Sequence, residues 1–252
     1  MIGLVDEARA IMAEVQTRDL SACLIGGIAV RVLIGDNMPP AFERPFADID
    51  ILTRRADAKG LGAVLTSRGW VSALEFNALN GARRLLFHRI DGDDHIDVFV
   101  DTFAMCHTLP LTDGMTGSDP TLPATELMMT KLQIVELTAK DRNDLYALLT
   151  SCPMASGKPA MLDPERISRL TSRDWGLQHT FELNLQRLLK PAHMNAIPLD
   201  DQDAVKASVV SLLKAIDEAP KSRAWKLRAR IGERKRWYEE PEEPARAAVA
   251  EF

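Results

Sequence analysis

Cysteine is scarce: three residues in 252, Cys23, Cys106 and Cys152, lie far apart and form no C-x-x-C pair. An odd number of isolated thiols in apolar or small-residue surroundings argues against a disulfide framework or a structural zinc site, and fits reduced cytoplasmic thiols. Long apolar runs are missing as well, with no stretch of about 18 such residues to cross a bilayer. The first twenty residues carry acids early and lack a basic start followed by an apolar block, so they do not read as a signal peptide. These absences point to a cytoplasmic protein with no membrane partner. His107, His179 and His193 are scattered without ligand spacing. Positive charge is not in excess either: 31 Lys and Arg against 36 Asp and Glu give a net charge of −5. The field of the whole chain therefore does not favour nucleic acid, although a local basic patch remains compatible with it. No internal repeat or long low-complexity tract is present.

What is there is ordinary globular composition, 46% hydrophobic and 27% charged, enough for one sizeable core or for a core domain plus a helical extension. Apolar residues at Leu4, Val5, Ala8, Ile11, Met12 and Val15 predict a helix over 3–18. A short strand, Ala22 to Ile25, ends at Gly26-Gly27. Residues 28–33 could be strand by propensity alone, but the Ala29/Val32/Leu33 spacing and the preceding glycines favour helix. A polar, proline-bearing loop from Gly35 to Pro45 leads to Asp48-Ile49-Asp50-Ile51-Leu52, the period-2 pattern of a strand with one polar face. A short helix is expected over 56–68. Strands over 83–90 and 95–100, joined by Asp91-Gly92-Asp93-Asp94, read as a hairpin. From about residue 123 the pattern turns helical, over 124–138, 141–150, 163–170, 174–189, 201–217 and 221–238. The fold class is therefore α+β, with a core over 1–120, a helical region over 121–240 completing the cleft, and a frayed tail over 241–252.

Asp48 and Asp50, two residues apart on a strand, project from one face. Two carboxylates so placed repel unless a proton or cation lies between them. Mg2+ or Mn2+ supplies that compensation; Mg2+ takes hard oxygen ligands and shares them with substrate phosphates. Asp97 sits on a second alternating strand among apolar neighbours, where an unpaired acid is costly. Asp93 and Asp94 are other acids close by, and the alternation around Asp97 selects it. With the two strands adjacent, three carboxylates form a cluster able to hold two metals about 3.5–4 Å apart. Glycines at a strand-to-helix turn allow close backbone approach, and the helix N-terminus offers N–H groups to phosphate, which makes Gly26 and Gly27 candidate phosphate contacts. Arg44, four residues before Asp48, is placed to reach a phosphate or the base.

Residues 24–33 (LIGGIAVRVL), 44–52 (RPFADIDIL) and 95–99 (HIDVF) resemble the nucleotidyltransferase superfamily with the polymerase-β-like fold. Within it they are most similar to the abortive-infection toxin type (AbiEii-like) and its relatives. The resemblance covers about residues 20–150 and includes the Glu126–Lys131 and Lys140–Asp144 stretches. It implies a mixed sheet with flanking helices and a helical C-terminal region. It further implies phosphates at Gly26 and Gly27, metal at Asp48 and Asp50, and Asp97 as third ligand or base-side carboxylate. By the same likeness Lys131 neutralises phosphate, while Asp141 or Asp144 orients it or shapes the acceptor site. The implied reaction moves a nucleoside monophosphate from an NTP to a hydroxyl of tRNA, protein or a small molecule, with a cognate antitoxin as a further partner. The alternatives are a catalytically inactive nucleotide-binding or interaction module and an antibiotic-modifying transferase.

Each residue also has a plain structural reading. Lys131 competes with snorkelling to solvent, and Asp141 and Asp144 with acids favoured at a helix N-terminus. The basic run 221–238, with Trp225, Trp237 and Tyr238, suits phosphate contact and base stacking. The favoured alternative for that run is a solvated amphipathic helix with its tryptophans packed inward.

Overall fold

The helical spacing of Ala8, Ile11, Met12 and Val15 becomes α1 (Leu4–Thr17), with these four side chains buried. The computed structural model describes residues 3–240 except 91, 118 and 196; the expected frayed tail over 241–252 and Asp91 of the expected turn lie outside the described residues. Next come β1 (Ala22–Ile25) and α2 (Gly26–Ile34), so helix wins over strand for 28–33. The 35–45 segment is a loop that folds into two single 3-10 turns and buries Phe42. β2 (Asp48–Thr53), α3 (Ala58–Ser67), β3 (Val71–Ser72), α4 (Leu74–Asn80), β4 (Arg84–His88) and β5 (His95–Val100) follow. The sheet order is β1-β2-β5-β4-β3. β2 and β5 are parallel, whereas β1 pairs antiparallel with β2, and β4 with β5. The result is a mixed sheet flanked by helices, an α+β arrangement.

Alternation decides what each face carries. Ile49, Ile51, Ile96 and Val98 are fully buried on the face opposite Asp48, Asp50 and Asp97. A two-stranded ribbon, β6 (Phe103–Ala104) and β7 (Thr108–Leu109), leads to the helices α5 (Ala124–Leu132), α6 (Ala139–Ser151), α7 (Pro164–Thr171), α8 (Trp175–Leu188), α9 (Pro191–Met194), α10 (Leu199–Glu218) and α11 (Arg223–Ile231). Every residue of α5 is buried, as expected of a helix wrapped on all sides. α5 and α6 both pack on α2, which brings the helical half against the Gly26-Gly27 turn. One continuous hydrophobic cluster runs from Ala8 to Ile216. No described helix is long and apolar enough to cross a membrane.

Two expected helices stop early for identifiable reasons. The 124–138 helix ends at Leu132 because side chains of α8 capture its last carbonyls. Asn184 Nδ2 donates to Leu132 O (2.9 Å) and Ile134 O (2.7 Å), and Arg187 Nη1 donates to Val135 O (2.7 Å). The 221–238 helix ends at Ile231, where Gly232 takes φ +58° and Arg228 donates to Gly232 O and Lys235 O. Gly232–Arg234 then make one 3-10 turn, and Trp237 beyond it docks on α8, its Nε1 donating to Thr180 Oγ1 at 3.0 Å.

Candidate active site

The parallel register of β2 and β5 sets Asp50 beside Asp97, and Asp48 beside His95. Aligned residues of paired parallel strands share a face, so Asp48, Asp50 and Asp97 form one carboxylate row. Asp50 points at the start of α2. A Cβ on Gly26 would fall on the Asp50 carboxylate, and Gly26 takes φ +71°, so only glycine fits there. Beside it, a Cβ on Gly27 would fall on the Arg44 guanidinium. Both glycines therefore first serve to admit two of the chain's own side chains.

Burial, with the Asp48 and Asp97 charges adding to it, pushes the Asp50 carboxyl well above the usual carboxylate range, against the opposing pull of Lys131 and Arg84. No described residue donates a hydrogen bond to Asp48 or Asp50, and none pairs with either within salt-bridge distance. Asp97 is different. Arg84 Nε donates to its Oδ1 at 2.8 Å, and His95 Nε2 lies 3.8 Å from Oδ2. His95 is one-third exposed. Among the described residues no three acidic, histidine or cysteine side chains converge as a ready metal-binding set.

A second cluster closes the other side. Arg44 grips Asp144 with two bonds, Nε to Oδ1 at 3.1 Å and Nη2 to Oδ2 at 2.9 Å, and its guanidinium lies 4.6 Å over the Phe46 ring. Lys131 Nζ reaches Asp144 Oδ2 at 2.9 Å and Asp141 Oδ1 at 3.1 Å. Burial alone would lower the Lys131 pKa, but Asp144 and Asp141 outweigh it and hold the ammonium well above its ordinary value. For Asp141, burial is outweighed by Lys131 and by hydrogen bonds from Thr138, so its carboxyl sits below the ordinary value. Asp141 is also the N3 residue of a capping box with Thr138; its structural role and its place in the cluster coincide, the cap alone contributing about 1 kcal/mol. Lys131 does not snorkel, since it is buried and paired. Next to this cluster a cavity of about 250 Å³ opens, lined by Gly27, Arg31, Phe42, Arg44, Phe46 and Asp144 among others.

All nine residues singled out from the sequence thus lie in two adjoining clusters, joined by the fields of Lys131 and Arg84 on Asp50. Arg84 was missed. Its signal was the Arg84-Leu86-His88 alternation on β4, which becomes informative only once the hairpin register places it on the Asp97 face. The basic run divides: Trp237 packs edge-on against Trp175 and His179, whereas Arg223, Lys226, Arg230 and Arg234 are exposed. Trp237 is spent on packing, though it lies beyond the end of α11 rather than on the expected helix.

No protein-family profile and no curated protein sequence matches the chain. Five chains of solved structure match it. One, known from a solution structure, is the antibiotic-resistance factor ANT(2'')-Ia, with 12% identity and a TM-score of 0.35 over 85% of this chain and 95% of that one. At that score the two backbones superpose only loosely, and no family membership follows from it.

Proposed function

We propose that the chain is a metal-dependent nucleotidyltransferase that moves a nucleoside monophosphate from an NTP to an acceptor hydroxyl and releases pyrophosphate. The observation that carries this reading is the uncompensated carboxylate pair Asp48–Asp50. Around it five carboxylates (Asp48, Asp50, Asp97, Asp141, Asp144) meet three cations (Arg44, Arg84, Lys131), a deficit of two positive charges. One divalent cation, Mg2+ or Mn2+, removes that deficit, and oxygen donors suit it. Asp48 and Asp50 would hold it, with Asp97 alongside as third carboxylate. When bound, such an ion lowers the pKa of an attacking hydroxyl and offsets charge on the phosphoryl group being transferred.

The chain's own groups supply the rest. Lys131 and Arg44 place positive charge beside the start of α2, where backbone N–H groups face an incoming phosphate. The neighbouring cavity, lined by Phe46 and Arg44, would offer a flat surface to a nucleotide. Asp97 would help take the acceptor's proton, and Asp141 and Asp144 would hold the two cations that meet the phosphates.

One observation favours a second reading, a nucleotide-binding module without turnover: Arg44, Lys131 and Arg84 are all already paired with carboxylates. The test is incubation with Mg2+ or Mn2+, each α-labelled NTP, and acceptors offered separately as tRNA, protein lysate and small molecules including antibiotics. An Asp48→Ala/Asp50→Ala variant runs alongside. Metal-dependent transfer by wild type alone supports the enzyme, and the labelled product identifies the acceptor class, including the tRNA expected of a toxin with a cognate antitoxin. Metal-dependent NTP binding without transfer supports the binding module.

A further inference from the structure

We infer that Arg84 is a positioning residue that withholds Asp97 from the carboxylate row, so that the three-carboxylate site is completed only when the guanidinium moves away. The inference rests on the metal-dependent reading above. β4 runs antiparallel to β5 with Arg84 opposite Phe99 and Leu86 opposite Asp97, so Arg84 reaches one row diagonally across the same face. Its Nε bonds Asp97 Oδ1 at 2.8 Å, with both side chains almost enclosed, 13% and 6% exposed. The guanidinium lies 5.3 Å from the Phe99 ring and 5.9 Å from the Phe76 ring. These cation–π contacts are attractive but less directional than the bond to Asp97.

There is somewhere for it to go. A cavity of about 320 Å³ is lined by Arg84 itself together with Asn80, Arg83, Phe99, Glu239 and Glu240. Glu239 is held there by its backbone N–H, which donates to Cys106 O at 2.9 Å. Glu239 and Glu240 line the same cavity as Arg84 and bring negative charge to it. A cation on Asp97 Oδ1 and a guanidinium on the same oxygen repel each other, so the two compete for that atom. This sets Arg84 apart from a usual outer partner of a ligand, which orients the ligand and strengthens metal binding; losing such a partner weakens affinity by roughly 10–100-fold. Losing a competitor strengthens it. The two roles predict opposite signs.

The experiment is a Mn2+ titration of the full chain without nucleotide, read by loss of the free Mn2+ resonance signal. Wild type, Arg84→Gln and Arg84→Lys are compared, with thermal melts to confirm folding. The expected result is about tenfold tighter Mn2+ binding by Arg84→Gln, with Arg84→Lys, which keeps the charge but not the planar fork, lying between it and wild type. If Arg84→Gln melts early, the direction of the Arg84→Lys change decides alone. Equal or weaker binding by folded variants overturns the role of Arg84 and leaves the proposed function standing. No binding by wild type or by either variant removes the proposed function, and this inference with it.

Discussion

Replacing Asp50 by Asn should make the metal-free protein more stable. Asp50 is closely surrounded, accepts no hydrogen bond from any described residue, and has Asp48 and Asp97 as like-charged neighbours. A carboxylate at the about 4.8 Å spacing of paired strands repels another by about 3 kcal/mol at an effective dielectric of 20. Lys131 and Arg84 return part of this, leaving a net gain of about 1–2 kcal/mol for the neutral amide. In a domain of this size about 1 kcal/mol moves Tm by roughly 2–4 °C, so the variant should melt about 4 °C higher in EDTA once pH lies above the folded-state value of Asp50. The sign in pH follows from linkage. The raised folded-state pKa means that the folded chain holds the Asp50 proton more tightly than the unfolded chain, whose value is 3.8. Between 3.8 and the folded value, wild-type stability therefore falls as pH rises, and the difference from Asp50→Asn reaches its full size above that window. The assay is thermal melting of both proteins across that range, with and without Mn2+. Mn2+ should raise the wild-type Tm and leave the variant unmoved. A variant that melts lower than wild type in EDTA would refute the reasoning, because it would make Asp50 a net-stabilised structural carboxylate.

Three further outcomes follow from the same geometry. Lys131→Met removes a buried cation shared by Asp141 and Asp144. Arg44 and Thr138 remain to hold the two acids, so the cost is about 3 kcal/mol, the low end for a broken buried pair, measured by urea unfolding. Because the Lys131 pKa is raised, the stabilisation it supplies is fully present below 10.5 and is lost as pH rises through the folded value. Gly26→Ala combines a positive φ with a collision at the Asp50 carboxylate, costing about 2–3 kcal/mol; pairing it with Asp50→Ala should recover part of that loss in the melt. Glu7→Gln strips a buried carboxylate that accepts from Arg68 Nη2 at 2.8 Å and Trp70 Nε1 at 3.0 Å, and pairs with Arg89 Nη2 at 3.2 Å. Burial is outweighed there by the Arg68 and Trp70 bonds and the Glu7 pKa is lowered, so the loss, about 3 kcal/mol at neutral pH, fades as pH falls through the folded value below 4.5.

The core elements were legible because each carries its own period. The 3.6-residue spacing of Ala8, Ile11, Met12 and Val15, and the strict alternation about Asp48–Asp50 and Asp97, are local signals that survive into the structure. α4 had no such signal: Leu74 and Leu79 are 77% and 85% exposed, and the helix is tied to β4 by Asn77, whose Oδ1 accepts from Leu86 N at 2.7 Å. The ends of α5 and α11 depend on Asn184, Arg187 and Arg228, partners distant in sequence or reached only after a chain reversal. In the candidate site the carboxylates were visible as types, but their present partners were not. Asp97 facing Arg84, and Asp144 shared between Arg44 and Lys131, are products of the register of β4 on β5 and of the packing of α5 and α6 on α2.

The most direct test of the central claim is label transfer from an α-labelled NTP by wild type and Asp50→Asn side by side, at matched folded concentration and with saturating Mn2+. A chain whose Asp48–Asp50 pair exists to hold a cation predicts transfer by wild type and none by the variant, even though the variant is the more stable protein. Equal transfer by both would contradict it.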